Sequence, residues 1–295
     1  MVTARTNDAC VEGFCPITRL RFLYADVSET AAILHEQHGS DLPTAEILGR
    51  ALAGIALVGI DLGEQDEMIS MHAETTGPIG GYLVEMTGRG ELRGYTYAKK
   101  LLSPENNESV SPYGPMARVK MTRTHESGKI RSQMAFNVMP AGEHDILTEF
   151  YNSTLQIPTQ VCLHARTFEG HLESVRALAV QRMPDGRKSD FARVSALFKD
   201  GSVQEQLEFD ASTATLREIF ALPELTTGPT RALRMGCTCS QATVEAAYAN
   251  YQKPVLQGMA RMGRNETFSC HLCGQAYTVT HTKLAELADR EEPLE

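Results

Sequence analysis

Two pairs of closely spaced cysteines constrain the fold of this chain more than any other feature of its sequence. The first pair is Cys237-Thr238-Cys239, the second is Cys270-His271-Leu272-Cys273, and 30 residues separate them. Each pair can offer two thiolates from one tight turn, and four thiolates are the donor set of a tetrahedral zinc site. Gly274 directly follows the second pair and eases the sharp backbone turn that such a site needs. The sequence therefore predicts one zinc ion (Zn²⁺) held by Cys237, Cys239, Cys270 and Cys273.

The charge balance and the absence of a long apolar run limit the partners and the compartment. The 295 residues include 28 Lys and Arg against 37 Asp and Glu, a net charge of −9, so we expect no nucleic-acid partner. The most apolar stretch, Ala51 to Ile60, has about half the length of a bilayer-spanning helix, and we find no secretory signal. We therefore expect a cytoplasmic protein without a membrane partner. In that reducing compartment, paired cysteines favour metal or redox chemistry over structural disulfides.

Residues 16–183 are predicted to form an α+β core domain with a mostly antiparallel sheet. Pro43 opens an apolar helix over Thr44 to Leu62, and the small residues of this helix favour burial against a sheet. From Met68 to Arg182, alternating segments follow one another across glycine and proline turns, with helices only in places. Consecutive strands of this kind are typical of α+β domains.

Three cysteines lie outside the two pairs. Ala4 to Pro16 indicates a loose leader, so we expect Cys10 and Cys15 to be free thiols, with an additional redox pair as the alternative. Cys162 lies between apolar neighbours in a predicted strand, where we expect a small core residue.

The remainder of the chain changes character after the Pro184-Asp185-Gly186 turn. Residues 184–232 are predicted to form a helical linker with an apolar stripe that includes Phe191, Val194 and Phe198. Residues 233–288 are predicted to form a small zinc-binding module. In this module Thr267 to Ser269 and Gln275 to Thr280 are the arms of a hairpin with the second cysteine pair at its tip.

The role of the predicted zinc has three interpretations. A closed four-thiolate shell has no open coordination position, so catalysis by the metal is disfavoured and we expect a protein that is not an enzyme. The zinc could be purely structural in a constitutive binding module, or Cys270 and Cys273 could act as a thiol oxidoreductase. The third interpretation is a redox switch, because zinc-bound thiolates are nucleophilic and loss of a structural metal removes roughly 10–16 kcal/mol of folding free energy.

The cysteine spacing resembles that of one known family, the heat-shock protein 33 family of redox-regulated holdase chaperones. A C-x-C pair and a C-x2-C pair about 30 residues apart are its most specific mark. Gly77 to Gly81 followed by Leu92 to Tyr95 is similar to a hairpin of the family's sheet, and Thr154 to Thr159 resembles its Ser-Glu-Gln-Leu-Pro-Thr stretch. The resemblance covers nearly the whole chain and identifies it as a divergent member. Ser240 to Thr243 has no charge where the family has charged residues, and Met235-Gly236 replaces an aromatic and a basic residue.

The resemblance implies a mechanism. Oxidation would form the disulfides Cys237–Cys239 and Cys270–Cys273, release zinc, unfold the zinc-binding module and loosen the linker. The protein would then bind unfolding client proteins without ATP, as an oxidised homodimer. The family implies no catalytic residue and no further cofactor.

Overall fold

The computed structural model describes residues 8–101, 111–209 and 212–289. The chain forms two compact units that divide between Gly236 and Cys237, which we refer to as the N-terminal and the C-terminal unit. The fold is α+β, as the sequence predicts. The finer division into 16–183, 184–232 and 233–288 remains a prediction.

The N-terminal unit combines two sheets with two groups of helices. Its strands are β1 (Ala9–Cys15), β2 (Leu20–Asp26), β3 (Glu67–Thr75), β4 (Gly81–Thr87), β5 (Glu91–Thr96), β6 (Ala117–His125), β7 (Ile130–Val138), β8 (Thr159–Phe168), β9 (His171–Arg182), β10 (Thr226–Thr227), β11 (Arg231–Ala232) and β12 (Arg234–Met235). Its helices are α1 (Ser28–His38), α2 (Leu42–Gly59), α3 (Glu143–Glu149), α4 (Lys188–Lys199), α5 (Ser202–Phe209) and α6 (Thr213–Phe220), and α3 continues into a π-helical turn (Phe150–Thr154).

Each of the two sheets has six strands, and nearly all of the pairing is antiparallel. In the first sheet the order is β10-β1-β2-β9-β8, with β11 also on the outer edge of β1. In the second sheet the order is β12-β5-β4-β3-β6-β7, and only the β12–β5 pair among them is parallel. The mostly antiparallel core expected from consecutive strands is therefore confirmed.

Helix α2 is the central helix of this unit. The Asp41 carboxylate caps it by accepting a hydrogen bond from the Thr44 amide at 3.0 Å, and proline occupies the first turn as predicted. A Cβ atom at Gly59 would lie 2.3 Å from Met86 Sδ, so glycine lets the helix approach β4 closely. The helix is long and apolar enough to cross a membrane, but 78% of it is buried within the protein, which accounts for its composition.

The linker helices α4, α5 and α6 cover one face of the first sheet. Phe220 packs on Phe22 of β2 with 5.2 Å between the ring centroids. Val194 of the predicted stripe is fully buried, and Phe191 and Phe198 pack against the same cluster. The apolar stripe is thus packed against the core in this structure.

The expectation of a loose leader is wrong for residues 9–15, which form β1 with Cys10 and Cys15 buried. The preceding Asp8 is also buried, and its carboxylate accepts hydrogen bonds from the Glu29 and Thr30 amides at the start of α1. The local sequence has no regular alternation, so only tertiary pairing with β2 and with the later chain makes it a strand. Residues 4–7 of the expected leader lie outside the described residues.

A segment we name the strap (residues 226–236) joins the linker helices to the C-terminal unit. It contains β10, β11 and β12, each of two residues. The strap pairs first with the outer edge of β1 and then with the outer edge of β5, so one short stretch of chain covers an edge of each sheet.

The C-terminal unit has a hairpin and three short helices. Its elements are α7 (Gln241–Ala249), α8 (Lys253–Arg261), β13 (Glu266–Ser269), β14 (Ala276–Val279) and α9 (His281–Ala288). Its buried apolar cluster is small and consists of Val244, Leu256, Val279, Leu284, Leu287 and Ala288. The predicted hairpin is present, with the second cysteine pair between its arms.

Candidate metal centre

The four predicted cysteines come together in the C-terminal unit. Their sulfur atoms all lie within 4.8 Å of one another. The Cys237 and Cys270 sulfurs are 3.8 Å apart, and the Cys239 and Cys273 sulfurs are 3.3 Å apart. Four sulfurs at about 2.3 Å from one ion would form a tetrahedron with edges of about 3.8 Å. The cluster therefore has the dimensions of a four-thiolate metal site.

Local backbone geometry places each pair. Gly274 has φ +75°, in the left-handed region that favours glycine, and its amide donates to the Cys270 carbonyl at 2.8 Å. The Cys270 amide in turn donates to the Gln275 carbonyl at 2.9 Å, which closes the turn between β13 and β14. Glycine is thus required after the second pair, as the sequence predicts.

The residues after the first pair begin a helix. The Ser240 hydroxyl caps α7 by accepting a hydrogen bond from the Thr243 amide at 3.1 Å. A cap at this position fixes the direction in which the chain leaves Cys239. The uncharged stretch from Ser240 to Thr243, which differs from the resembled pattern, therefore has a structural role here.

Tyr277 is a polar partner of the cluster that the sequence analysis missed. Its hydroxyl lies 3.1 Å from the Cys239 sulfur and donates a hydrogen bond to the Cys239 carbonyl, also at 3.1 Å. An O–H near a metal-binding sulfur orients it and stabilises its negative charge. The only sequence signal was an aromatic residue on the second arm of the hairpin, four residues after Cys273.

The pKa of Cys237 is shifted in the opposite direction to the pKa values of Cys239 and Cys273. Burial raises the pKa of Cys237, but hydrogen bonds from the Cys239 amide and from neighbouring thiols outweigh it, so its pKa lies below the ordinary value. Burial raises the pKa values of Cys239 and Cys273. The hydrogen bond with Cys239 is the main cause that raises the pKa of Tyr277 to about 12. Four thiolates this close repel one another, so a cation is needed to keep all of them deprotonated.

Comparison with known proteins assigns the chain to a family. A family profile described as "Hsp33 protein" matches residues 8–280. The chain belongs to the heat-shock protein 33 family. A 33 kDa chaperonin of Thermus thermophilus is 25% identical over 283 residues, which cover 91% of this chain and 83% of that protein. A 33 kDa chaperonin of Deinococcus radiodurans is 23% identical over 92% of this chain and 95% of that protein.

A solved structure confirms the fold. The 33 kDa chaperonin (heat shock protein 33 homolog) of Thermotoga maritima is similar with a TM-score of 0.81 and 20% identity, covering 96% of this chain and 98% of that one. The predicted family is thus confirmed. Membership in the heat-shock protein 33 family supports a chaperone as the class of function.

The cysteine cluster fits the kind of metal ion expected in this family. The donor set is four thiolates, which soft or borderline ions such as Zn²⁺ prefer. Cys273 is only 1% exposed, and the Gly274 amide and the Tyr277 hydroxyl supply hydrogen bonds around the site. The four cysteines can therefore bind a metal ion. Their assignment as zinc ligands is a prediction. His271, within the second pair, is exposed.

The three other cysteines lie in the N-terminal unit as buried free thiols. Cys10 and Cys15 are five positions apart on one strand, so they point to opposite faces and lie roughly 16 Å apart along it. The alternative of an additional redox pair is therefore wrong. Burial raises the pKa of Cys10 to about 11 and that of Cys162 to about 12, which keeps both thiols protonated at neutral pH. Cys162 is a core residue, as predicted.

A second group of potential ligands, Glu64, Asp66 and His125, lies in the N-terminal unit. His125 Nε2 bonds Asp66 at 2.5 Å, and its Nδ1 accepts a hydrogen bond from the Ser127 amide at 3.1 Å. Glu64 is paired with Arg131 at 3.2 Å. Both ring nitrogens are thus engaged within the protein, and the group links the loop before β3 to strands β6 and β7.

Proposed function

We propose that this chain is an ATP-independent holdase chaperone whose client binding is switched on by oxidation of Cys237, Cys239, Cys270 and Cys273. In the reduced state these four residues would hold one Zn²⁺, which supplies folding free energy to the C-terminal unit. The observation that carries the proposal is the gathering of four sulfurs within 4.8 Å in a unit whose apolar core has six buried residues among those that the structure describes. A unit of this size needs a bound metal ion or a disulfide, in addition to its apolar core, to remain folded.

The oxidation step balances without a further reactant when the oxidant is a peroxide. Counted from the thiols, each cysteine pair loses two protons and two electrons and forms one S–S bond. The peroxide O–O bond breaks, and its two oxygens leave as two waters. A disulfide no longer offers thiolates, so the oxidised residues cannot hold zinc, and the C-terminal unit loses the main source of its stability.

The pairing we propose is Cys237–Cys239 and Cys270–Cys273, as the family resemblance implies. All four sulfurs lie within 4.8 Å, so the reduced geometry favours neither these pairs nor the crossed ones. Peptide mapping separates the possibilities because Arg261 and Arg264 lie between the two pairs. We expect two separate tryptic peptides after oxidation, each lighter by two hydrogens. A disulfide-linked pair of these peptides would show crossed pairing.

The proposed client-binding state also releases the linker from the core. In the folded protein Arg176 Nη1 donates to the Leu207 and Glu208 carbonyls at 2.9 and 3.0 Å, which holds the end of α5 on the first sheet. Gln204 of α5 bridges the Cys162 sulfur and the His164 ring. Loss of these contacts would expose the apolar cluster between α4–α6 and the sheet. We propose that oxidised homodimers use such surface to bind unfolding proteins in the cytoplasm.

The experiment that tests the proposal follows zinc and client together. The reduced, zinc-loaded protein is treated with peroxide at heat-shock temperature, zinc is measured with a chromogenic chelator, and aggregation of an unfolding client is followed by light scattering. We expect zinc release and suppression of aggregation to rise in parallel. The Cys10→Ser variant is the matched control, since it removes a buried thiol of β1 outside the cluster and should behave as the unmodified chain.

Other outcomes identify the other interpretations. Retention of zinc with constant client binding would show a constitutive binding module with structural zinc. Turnover with a dithiol and a disulfide substrate would show a thiol oxidoreductase. The structure disfavours an oxidoreductase because Cys273 is 1% exposed and the C-x2-C lies in a hairpin turn rather than at the start of a helix.

A further inference from the structure

We propose that the strap (residues 226–236) is a removable edge strand, and that the edges of β1 and β5 beneath it bind extended segments of client protein by strand addition. This inference rests on the proposed function, because it requires the oxidised state to bind clients. It goes beyond that function by naming the binding surface and the backbone conformation of the partner.

The strap already pairs with both edges as an added strand would. Its Gly228 amide donates to the Glu12 carbonyl at 2.8 Å, and its Leu233 amide donates to the Asp8 carbonyl at 2.8 Å. Farther along, the Gly236 amide donates to the Leu92 carbonyl of β5 at 3.0 Å. Without the strap, β1 and β5 would be terminal strands with unpaired backbone groups, which template pairing with other chains.

The strap is a poor strand for these edges. It pairs with only four of the seven residues of β1, namely Ala9, Cys10, Gly13 and Phe14. Between these two pairings the strap keeps the Gly228–Glu12 hydrogen bond, but a cleft of about 150 Å³ lies beside Val11 and Glu12 and is also lined by Gly228 and Pro229. A continuous extended segment could pair along all of β1 and make more backbone hydrogen bonds than the strap does. Exchange of the strap for such a segment is therefore favourable once the strap is loosened.

Few side chains of the strap are buried, although Arg234 pairs with Glu91 of β5 at 2.7 Å and the Thr226 hydroxyl donates to the Phe14 carbonyl at 3.2 Å. Residues 226–230 are exposed, and Leu233 is its one buried apolar residue among positions 226–236. The Arg231 guanidinium donates to the Gly59 and Leu62 carbonyls at the end of α2, each at 3.0 Å. Segments with so few buried contacts open at low free-energy cost.

The covalent connection ties this weak segment to the cysteine cluster. Gly236 makes the last backbone hydrogen bond of the strap, and the next residue is the cluster residue Cys237. A Cβ atom at Gly236 would lie 2.7 Å from Glu91 Cβ, so glycine allows this final contact with β5. When the C-terminal unit is folded, Cys237 is held in the cysteine cluster. When that unit unfolds, the strap ends in a free tail and can fray from this end.

The partner fitting these edges is an extended polypeptide with apolar side chains at alternate positions, like the segments exposed by unfolding proteins. The strap indicates that both strand directions are accepted, since it runs antiparallel to β1 and parallel to β5. The outer edge of β7, at the opposite side of the second sheet, has no strand neighbour among the described residues whether or not the strap is in place. Because release of the strap does not change that edge, it cannot account for client binding that is switched on by oxidation.

A disulfide staple tests the inference in the full chain. Cys10 and Arg231 are registered partners across β1 and β11, and such partners have Cα atoms about 4.5–5.5 Å apart, within the span of a disulfide. The Arg231→Cys variant should therefore lock the strap onto β1 when oxidised. The matched control is Arg231→Ser, which loses the same guanidinium but gains no thiol. Peptide mapping verifies the staple, and zinc release is measured on the same samples as client aggregation.

We expect oxidised Arg231→Cys to release zinc normally yet lose most of its suppression of aggregation. Oxidised Arg231→Ser should retain suppression and show faster amide exchange in the strap before oxidation. Full suppression by the stapled protein after zinc release would overturn the inference and leave the proposed function intact. Zinc retention in the unmodified protein under peroxide would overturn the proposed function and the inference with it.

A second disulfide replaces the first if the first does not form, and hydrogen exchange distinguishes client binding from dimerisation at these edges. If the first disulfide does not form, Gly13→Cys combined with Thr227→Cys joins another registered pair. Hydrogen exchange of the oxidised unmodified protein should show β1 and β5 losing protection with the strap and regaining it when client is added. Protection that returns without client, through dimerisation, would assign the edges to a second copy of the chain and overturn the assignment to clients.

Discussion

The two units differ in what makes them stable. The N-terminal unit buries whole side chains from two sheets and a central helix, among them Leu52, Tyr82 and Phe22. Within its described residues, up to position 289, the C-terminal unit has an apolar cluster of six buried residues and four clustered thiols. Hydrophobic burial does not depend on redox conditions, whereas thiolate–metal bonds do. Under the proposed function, the N-terminal unit would therefore remain folded on oxidation while the C-terminal unit unfolds.

The largest expected effect is removal of one cluster sulfur. The Cys273→Ser variant should bind zinc weakly and leave the C-terminal unit unfolded in the reduced state, because structural zinc contributes about 10–16 kcal/mol to units of this kind. The N-terminal unit should keep its structure. The measurements are zinc content and hydrogen exchange of peptides from each unit.

Cys10→Ser provides the matched control for this prediction, since Cys10 is a buried thiol of β1 outside the cluster. That variant should keep stoichiometric zinc. Stoichiometric tight zinc in reduced Cys273→Ser would show that the four-ligand assignment is wrong. Exchange spreading through α2 would show that the two units are not independent in stability.

The sequence predicted the C-terminal site better than the N-terminal edges, for a physical reason. Ligand spacing is local: two cysteines within one turn and a glycine after Cys273 specify the cluster almost without reference to the rest of the chain. β1 and the strap depend on partners distant in sequence. Phe14 pairs with Thr226 across more than 200 residues, and two-residue strands have no periodicity that a sequence pattern can detect. The same absence of local signal made Ala9–Cys15 look like a leader.

An effect of intermediate size is expected on the stability of the N-terminal unit, through the pH dependence of a buried carboxylate. Burial is the main cause that raises the pKa of Asp8 from 3.8 to about 6, although the Thr30 and Glu29 amides donate to it. The folded state then binds the proton more tightly than the unfolded state. Asp8 therefore stabilises the fold most below its unfolded pKa, and that stability is lost as the pH rises through about 6.

The Asp8→Asn variant isolates this contribution. Lowering the pH from 7.5 to 4.5 should raise the free energy of unfolding of the unmodified chain relative to Asp8→Asn by about 2 kcal/mol. Urea unfolding followed by circular dichroism in the presence of chelator reports the N-terminal unit. The control is Asp185→Asn, which removes an exposed carboxylate. Its free energy of unfolding should change with pH as that of the unmodified chain does. If the free energy of unfolding of Asp8→Asn had the same pH dependence as that of the unmodified chain, folding would not raise the pKa of Asp8. Without chelator, the zinc-loaded C-terminal unit should instead lose stability as the pH falls, because protons compete with metal for its thiolates.

The smallest expected effect concerns the hydroxyl beside the cluster. Tyr277→Phe removes an O–H that lies 3.1 Å from the Cys239 sulfur and leaves the ring in place. Partners of this kind typically contribute 10–100-fold to metal affinity, so we expect zinc affinity to fall by roughly tenfold with the fold of the reduced unit preserved. Competition with a chelator of known affinity measures the change. Tyr251→Phe is the control, since that hydroxyl belongs to an exposed ring outside the cluster.

The same variant should also change the rate of zinc release by peroxide. Because the Tyr277 hydroxyl stabilises negative charge on Cys239, its loss should speed that release. Unchanged affinity and release would show that the four sulfurs alone set the threshold of the switch, and the contrast between the two units would then lie wholly in the metal ligands.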